Sequence, residues 1–184
     1  MKKKNNEKII KKINSCNNLT KKCVMVREYL KPQSTIFQYI IMNDLEINKP
    51  DNNICGDGKK NNVNYEIKTS LHAKGSKQNF VQIRPNHNID YYILVSYNLY
   101  DKTSKLGKGH IFKIESDILY KLVIKYGGYA HGTYKKHGEI NIENIKKNNY
   151  EYALRCDPNK KKGRNYDLWN ELLKYEVEYD KDNF

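Results

Sequence analysis

Apolar residues recur at helical spacing up to about residue 47 and at period two from about residue 53. Ile9, Ile10 and Ile13 predict a frayed or weakly docked amphipathic helix within residues 1–15. A second helix is expected over 22–31, stopped near Pro32. Ser34 is placed to cap a third, whose broad apolar stripe runs through Ile36, Phe37, Tyr39, Ile40, Ile41 and Leu45 and ends around Ile47. Residues 54–57 then read as a short strand, GKKNN (58–62) as turn chemistry, and 63–70 as the returning arm of a hairpin. A polar loop, 72–79, precedes a strand at 80–84. The run DYYILVSYNLY (90–100) is apolar on both faces and belongs at a sheet centre. A strand at 109–115 follows. Ser116 opens a helix with Ile118, Leu119, Leu122 and Val123 on one face, ended by Gly127-Gly128. The stretch after it reads as irregular or hairpin structure, 159–165 as a basic loop, and 166–175 as an amphipathic helix carrying Trp169. The expected total is one α+β domain over 1–184. It has a central mixed, mainly antiparallel sheet flanked by helices, with 1–20 a Lys/Asn-rich N-terminal arm or helix.

Composition narrows the function classes. No apolar run approaches the roughly 20 residues that span a bilayer, and MKKKNNEKII lacks the apolar block of a secretory signal. No membrane partner is expected. Cys16, Cys23, Cys55 and Cys156 show neither a CxxC pair nor dense spacing, which points to a reduced, cytoplasmic protein without a zinc or disulfide scaffold. The net charge of +13 attracts polyanions, nucleic acid foremost. AT-rich codon usage is the competing source of lysine: 30 of the 34 basic residues are Lys, and 24 residues are Asn. It explains Lys over Arg better than Lys over Glu.

The sharpest chemistry lies in GDGKKNNVNYEIKTS (56–70). On a strand, Val63, Tyr65, Ile67 and Thr69 point to one face, and Asn64, Glu66, Lys68 and Ser70 to the other. Asp57 lies nine residues before Glu66, so a hairpin brings the two carboxylates together. With a backbone carbonyl, that of Ile67, they make a hard-oxygen site suited to Mg²⁺. Lys68 beside it can orient an attacking water and offset charge on a phosphorane-like transition state. The plainer alternative is a surface hairpin with one Glu–Lys neighbour pair.

These residues, GD (56–57), YEIK (65–68) and TS (69–70), resemble the PD-(D/E)xK nuclease superfamily, and within it small type II restriction endonucleases. FVQIRP (80–85) and DYYILVSY (90–97) are similar to strands of that group. The resemblance covers roughly residues 34–135. It implies a restriction-endonuclease-like fold, Asp57 and Glu66 as metal ligands and Lys68 as the catalytic lysine. It implies Mg²⁺-dependent, sequence-specific cleavage of double-stranded DNA that leaves 5′-phosphates. Mn²⁺ would substitute, Ca²⁺ would support binding without cleavage, and no small-molecule cofactor is needed. Gly56 precedes the Asp where the family has Pro, and a literal Pro50-Asp51 lies earlier, Asp51 being fifteen residues before Glu66. Asp57 fits a short hairpin connection better than Asp51.

Supporting positions follow from the same pattern. Phe80, Gln82 and Arg84 share a face of the 80–84 strand. If that strand lies beside 63–70, Gln82 reaches the catalytic group and Arg84 a phosphate. Glu46 is a candidate outer metal ligand. His131 and His137, six apart, match no standard zinc spacing. Base and phosphate contacts are expected from two loops, 72–79 with its flank to Asn86 and His87, and 129–138. The named candidates are His72, Lys77, Gln78, Asn79, Asn86, His87 and His131. Lys160, Lys161, Lys162 and Arg164 of the basic loop are candidates for a phosphate clamp, a solvated loop being the plainer alternative. A homodimer would cut both strands of a palindromic site. The rivals are a repair nickase or junction resolvase on the same fold, and a non-catalytic basic nucleic-acid-binding protein.

Overall fold

The computed structural model of the chain describes residues 2–31, 33–71, 76–130, 137–147 and 149–184, with backbone alone for 2–6. Three helices come first: α1 (Lys2–Asn14), α2 (Leu19–Tyr29) and α3 (Gln33–Asp44). The start of α2 is set by Asn18, whose side chain accepts the Lys21 amide at 2.9 Å. Helix α3 begins at Gln33, so Ser34 sits inside its first turn and not at a cap. Phe37, Ile40 and Ile41 of α3 are buried, each contributing about 2 kcal/mol of apolar transfer energy.

Strands β1 (Gly58–Lys60), β2 (Val63–Ser70), β4 (Tyr91–Asn98) and β5 (Lys108–Glu115) make a four-stranded sheet in the order β1-β2-β4-β5. The β1–β2 and β4–β5 pairs are antiparallel and β2–β4 is parallel. Two asparagines make the β1–β2 turn: Asn61 and Asn62 have φ of 51° and 64°, the left-handed conformation that a two-residue hairpin loop demands. The expected strand at 54–57 is instead a turn. Asn52 Oδ1 accepts the Ile54 amide at 3.0 Å there, and this local bond takes the chain out of extension.

Strand β3 (Gln78–Ile83) belongs to a second sheet, in the order β3-β7-β6, with β6 (Gly128–Tyr129) and β7 (Tyr152–Cys156). The condition on which Gln82 would reach the catalytic group, pairing of 80–84 beside 63–70, is not met: β3 pairs with β7, antiparallel, and meets β2 through the Asn79 amide at Ser70 Oγ. Gln78 and Asn79, assigned to the polar loop, are strand residues. Helices α4 (Ser116–Tyr126) and α5 (Arg164–Leu173) complete the α+β domain, whose sheet is mixed and mainly antiparallel as expected.

The first sheet is covered on both faces. Tyr65, Ile67, Ile93 and Val95 pack with α1–α3. Tyr92, Leu94, Phe112 and Ile114 pack with the second sheet, with α4, and with Leu168, Trp169 and Leu172 of α5. Ile13 is fully buried, so α1 is docked. No helix among the described residues is long and apolar enough to cross a membrane.

Candidate active site on strand β2

The polar stripe of β2 is buried. Asn64, Glu66, Lys68 and Ser70 are each under a tenth exposed, on the face turned toward the second sheet. The β1–β2 register pairs Gly58 with Tyr65; carried one residue further, it sets Asp57 across from Glu66. Two glycines make that approach possible. A Cβ on Gly56 (φ +78°) would lie 2.4 Å from the Tyr65 carbonyl oxygen, and one on Gly58 would lie 2.4 Å from Ile47 Cγ2.

Strand β1 ends before it reaches Ile67, leaving the Ile67 backbone groups without partners on β1. Side chains take them. Asp57 Oδ2 accepts the Ile67 amide at 2.8 Å, and Gln38 Nε2 of α3 donates to the Ile67 carbonyl at 2.6 Å. The same Gln38 nitrogen is 3.5 Å from Asp57 Oδ2. Lys68 Nζ is ion-paired with Glu66 Oε1. Burial, and then the Glu66 charge, push the Asp57 carboxyl up to about 6, against the opposing pull of the Ile67 amide, Lys68 and Arg84. His87 is half-buried, and burial, then Arg84 and Lys68, lower its proton affinity. Asp57, Glu66, Lys68, Arg84 and His87 thus share one electrostatic neighbourhood.

The donor set fits a hard divalent cation. Asp57 Oδ1 and the second Glu66 oxygen accept no hydrogen bond among the described residues, and the Ile67 carbonyl keeps a lone pair beside its Gln38 bond. No three His, Cys, Asp or Glu side chains gather among the described residues. A cation here would rest on two carboxylates, one carbonyl and water, as Mg²⁺ commonly does.

Other candidates are placed elsewhere. Gln82 sits on a bulge between Phe80 and Ile83 with φ 58°, its residue exposed; the bulge breaks the alternation that would have aligned it with Phe80 and Arg84. Arg84 is ion-paired with Glu151, its Nε 3.1 Å from Oε1. Gln78, expected at a base, is fully buried and donates to the Tyr97 and Ser76 carbonyls at 3.2 and 3.3 Å. Asn79 and Lys77 are exposed. Asn86 is exposed and 3.4 Å from Asn149. Lys160 is exposed, whereas Arg164 donates to the Lys125 and Gly127 carbonyls and so ties α5 to the end of α4. Glu46 pairs with Lys181 at 2.6 Å and Asp51 with Lys59 at 2.5 Å; both carboxylates are exposed and stand outside the cluster. His72 and His131 lie outside the described residues.

Gln38 was missed by sequence reasoning. It stands among apolar residues of α3, and no local pattern separates it from a solvated position. Comparisons of the chain with protein-family models, with curated proteins and with solved structures found no match.

Proposed function

We propose that this protein is a Mg²⁺-dependent, sequence-specific endonuclease of double-stranded DNA, of the PD-(D/E)xK type and restriction-enzyme class. One observation carries the reading. The hairpin register sets Asp57 opposite Glu66, with Lys68 paired beside them on the same strand face. A Mg²⁺ held by Asp57, Glu66 and the Ile67 carbonyl would supply Lewis-acid stabilisation of charge developing on the phosphate. Asp57 holds the Ile67 amide and Gln38 the Ile67 carbonyl, so the backbone at Ile67 keeps its direction. The Lys68 ammonium orients water at the phosphate and attracts its oxygens. Arg84, itself paired with Glu151, and His87 lie within the electrostatic reach of this cluster and would help attract the same phosphate. Two copies of the chain would cut both strands.

Digestion of a mapped supercoiled plasmid with and without Mg²⁺ tests this, on the wild type and on Asp57→Ala, Glu66→Ala and Lys68→Ala. Each substitution is expected to lower the rate by about a thousandfold or more. A Lys68→Ala protein that cuts near the wild-type rate would falsify the site. A discrete fragment pattern separates a restriction enzyme from a nickase or resolvase, and metal-independent binding without cutting identifies a binding protein.

A further inference from the structure

We propose that the exposed face of the β3–β7 ribbon reads base pairs in the major groove beside the cut, with Arg155 and Asn79 as the specificity-determining pair. The proposal rests on the nuclease reading above and deepens it. The register places Asn79 directly opposite Arg155, and both are exposed. Their neighbours Gln78, Phe80, Leu154 and Cys156 are buried beneath. The two side chains therefore stand side by side on a rigid strand pair, with Cβ atoms about 5 Å apart. The Arg155 side chain makes no hydrogen bond or ion pair among the described residues, and nothing there holds its guanidinium to the protein.

The occupant follows from chemistry and charge. Strand β6 pairs with Tyr152 and Ala153, so at Asn79 and Arg155 the sheet is two strands wide among the described residues. A two-stranded ribbon fits the major groove of B-DNA; Arg bonds guanine O6 and N7 bidentately, Asn bonds adenine N6 and N7, and an apolar side chain contacts the thymine methyl. The ribbon presents these three types, the last as Val81, which is 38% exposed. Neither QNFVQI nor YALRC contains an acidic residue; of the two that adjoin YALRC, Glu151 is paired with Arg84 and Asp157 is buried, and exposed Lys77 and Lys160–Lys162 lie close by in the chain. Charge alone would admit any polyanion, an acidic protein included. A carboxylate also takes the Arg fork, but adjacent base edges take Arg155 and Asn79 side by side, which favours nucleic acid.

The ribbon also adjoins the strand that carries the lysine. The Asn79 amide donates to Ser70 Oγ at 2.9 Å. Ser70 is two residues beyond Lys68 on β2 and on the same face.

The test starts by selecting duplexes from a randomised pool with wild-type protein in Ca²⁺. The ratio of affinities for the selected and a scrambled duplex is then measured for wild type, Asn79→Ala, Arg155→Ala and Arg155→Lys. The ratio is expected to fall about tenfold or more in each variant. Arg155→Lys keeps the charge and loses the bidentate fork, so its ratio separates base reading from phosphate attraction. A wild-type ratio in Arg155→Lys, unchanged ratios in both alanine variants, or a selection that enriches no sequence each overturns the proposal. Plasmid cutting by wild type and Lys68→Ala is run alongside. Cutting that depends on Lys68, together with unchanged ratios, overturns the ribbon alone. Absence of such cutting overturns the nuclease reading, and the ratios then judge the ribbon by themselves.

Discussion

Asp57 is the residue on which the site's electrostatics turn. Its carboxyl is pushed from an ordinary 3.8 up to about 6, first by burial and then by Glu66. A carboxyl that binds its proton more tightly folded than unfolded favours the folded state fully below about 3.8, and that advantage is lost as pH rises through about 6. Near neutral pH the ionised Asp57 is therefore a standing cost to the metal-free protein. Asp57→Asn removes the charge and leaves an oxygen to accept the Ile67 amide. The metal-free Asp57→Asn protein is expected to be more stable than wild type near pH 8 by about 1–3 kcal/mol, with the gain vanishing near pH 4. Urea unfolding in EDTA across this range measures it; a wild type that is the more stable of the two near pH 8 sinks the account. Mg²⁺ is expected to raise the melting temperature of the wild type and not of this variant.

Among the elements, the β1–β2 hairpin decides whether the carboxylates meet. Gly56→Ala combines a positive φ with a Cβ 2.4 Å from the Tyr65 carbonyl oxygen. It is expected to cost about 2 kcal/mol or more and to abolish plasmid cutting. A denaturation midpoint equal to the wild type's would show that the hairpin tolerates the side chain. Strand β2 was readable from sequence because its two faces alternate in polarity, and β4 because it is apolar without a break from Tyr91 to Val95. Helix α4 was readable between Ser116 and Gly127. Strand β7 was not: only Arg155 of its five residues is exposed, so no alternation marks it, and its partner β3 lies far earlier in the chain. Strand β3 was found but its partner was left open, because the bulge at Gln82 breaks the period of two and sequence does not disclose which sheet an edge strand joins. Of the site, Asp57, Glu66 and Lys68 follow from hairpin register, which is local. Gln38 does not, because its contact with Ile67 spans 29 residues between a helix and a strand.

For the whole molecule, the net charge of +13 sets the expected response to salt. With roughly six to ten phosphate contacts per dimer, DNA affinity should fall by about 10³–10⁵ between about 50 and 200 mM salt. A flat response in a binding titration removes the electrostatic argument for DNA. The two packed faces of the first sheet carry a further consequence, for spectroscopy. Trp169, the chain's one tryptophan, packs at 5.6 Å from the Phe112 ring and belongs wholly to the side shared with the second sheet. Its fluorescence is blind to α1–α3, whereas far-ultraviolet circular dichroism sees them. Yet Tyr92 and Leu94 alternate along β4 with Ile93 and Val95, so one strand serves both sides and neither can melt without stripping the other. The two optical transitions should coincide in a denaturant titration. Midpoints that separate would mean that the helical layer peels away from β4 while the tryptophan side holds.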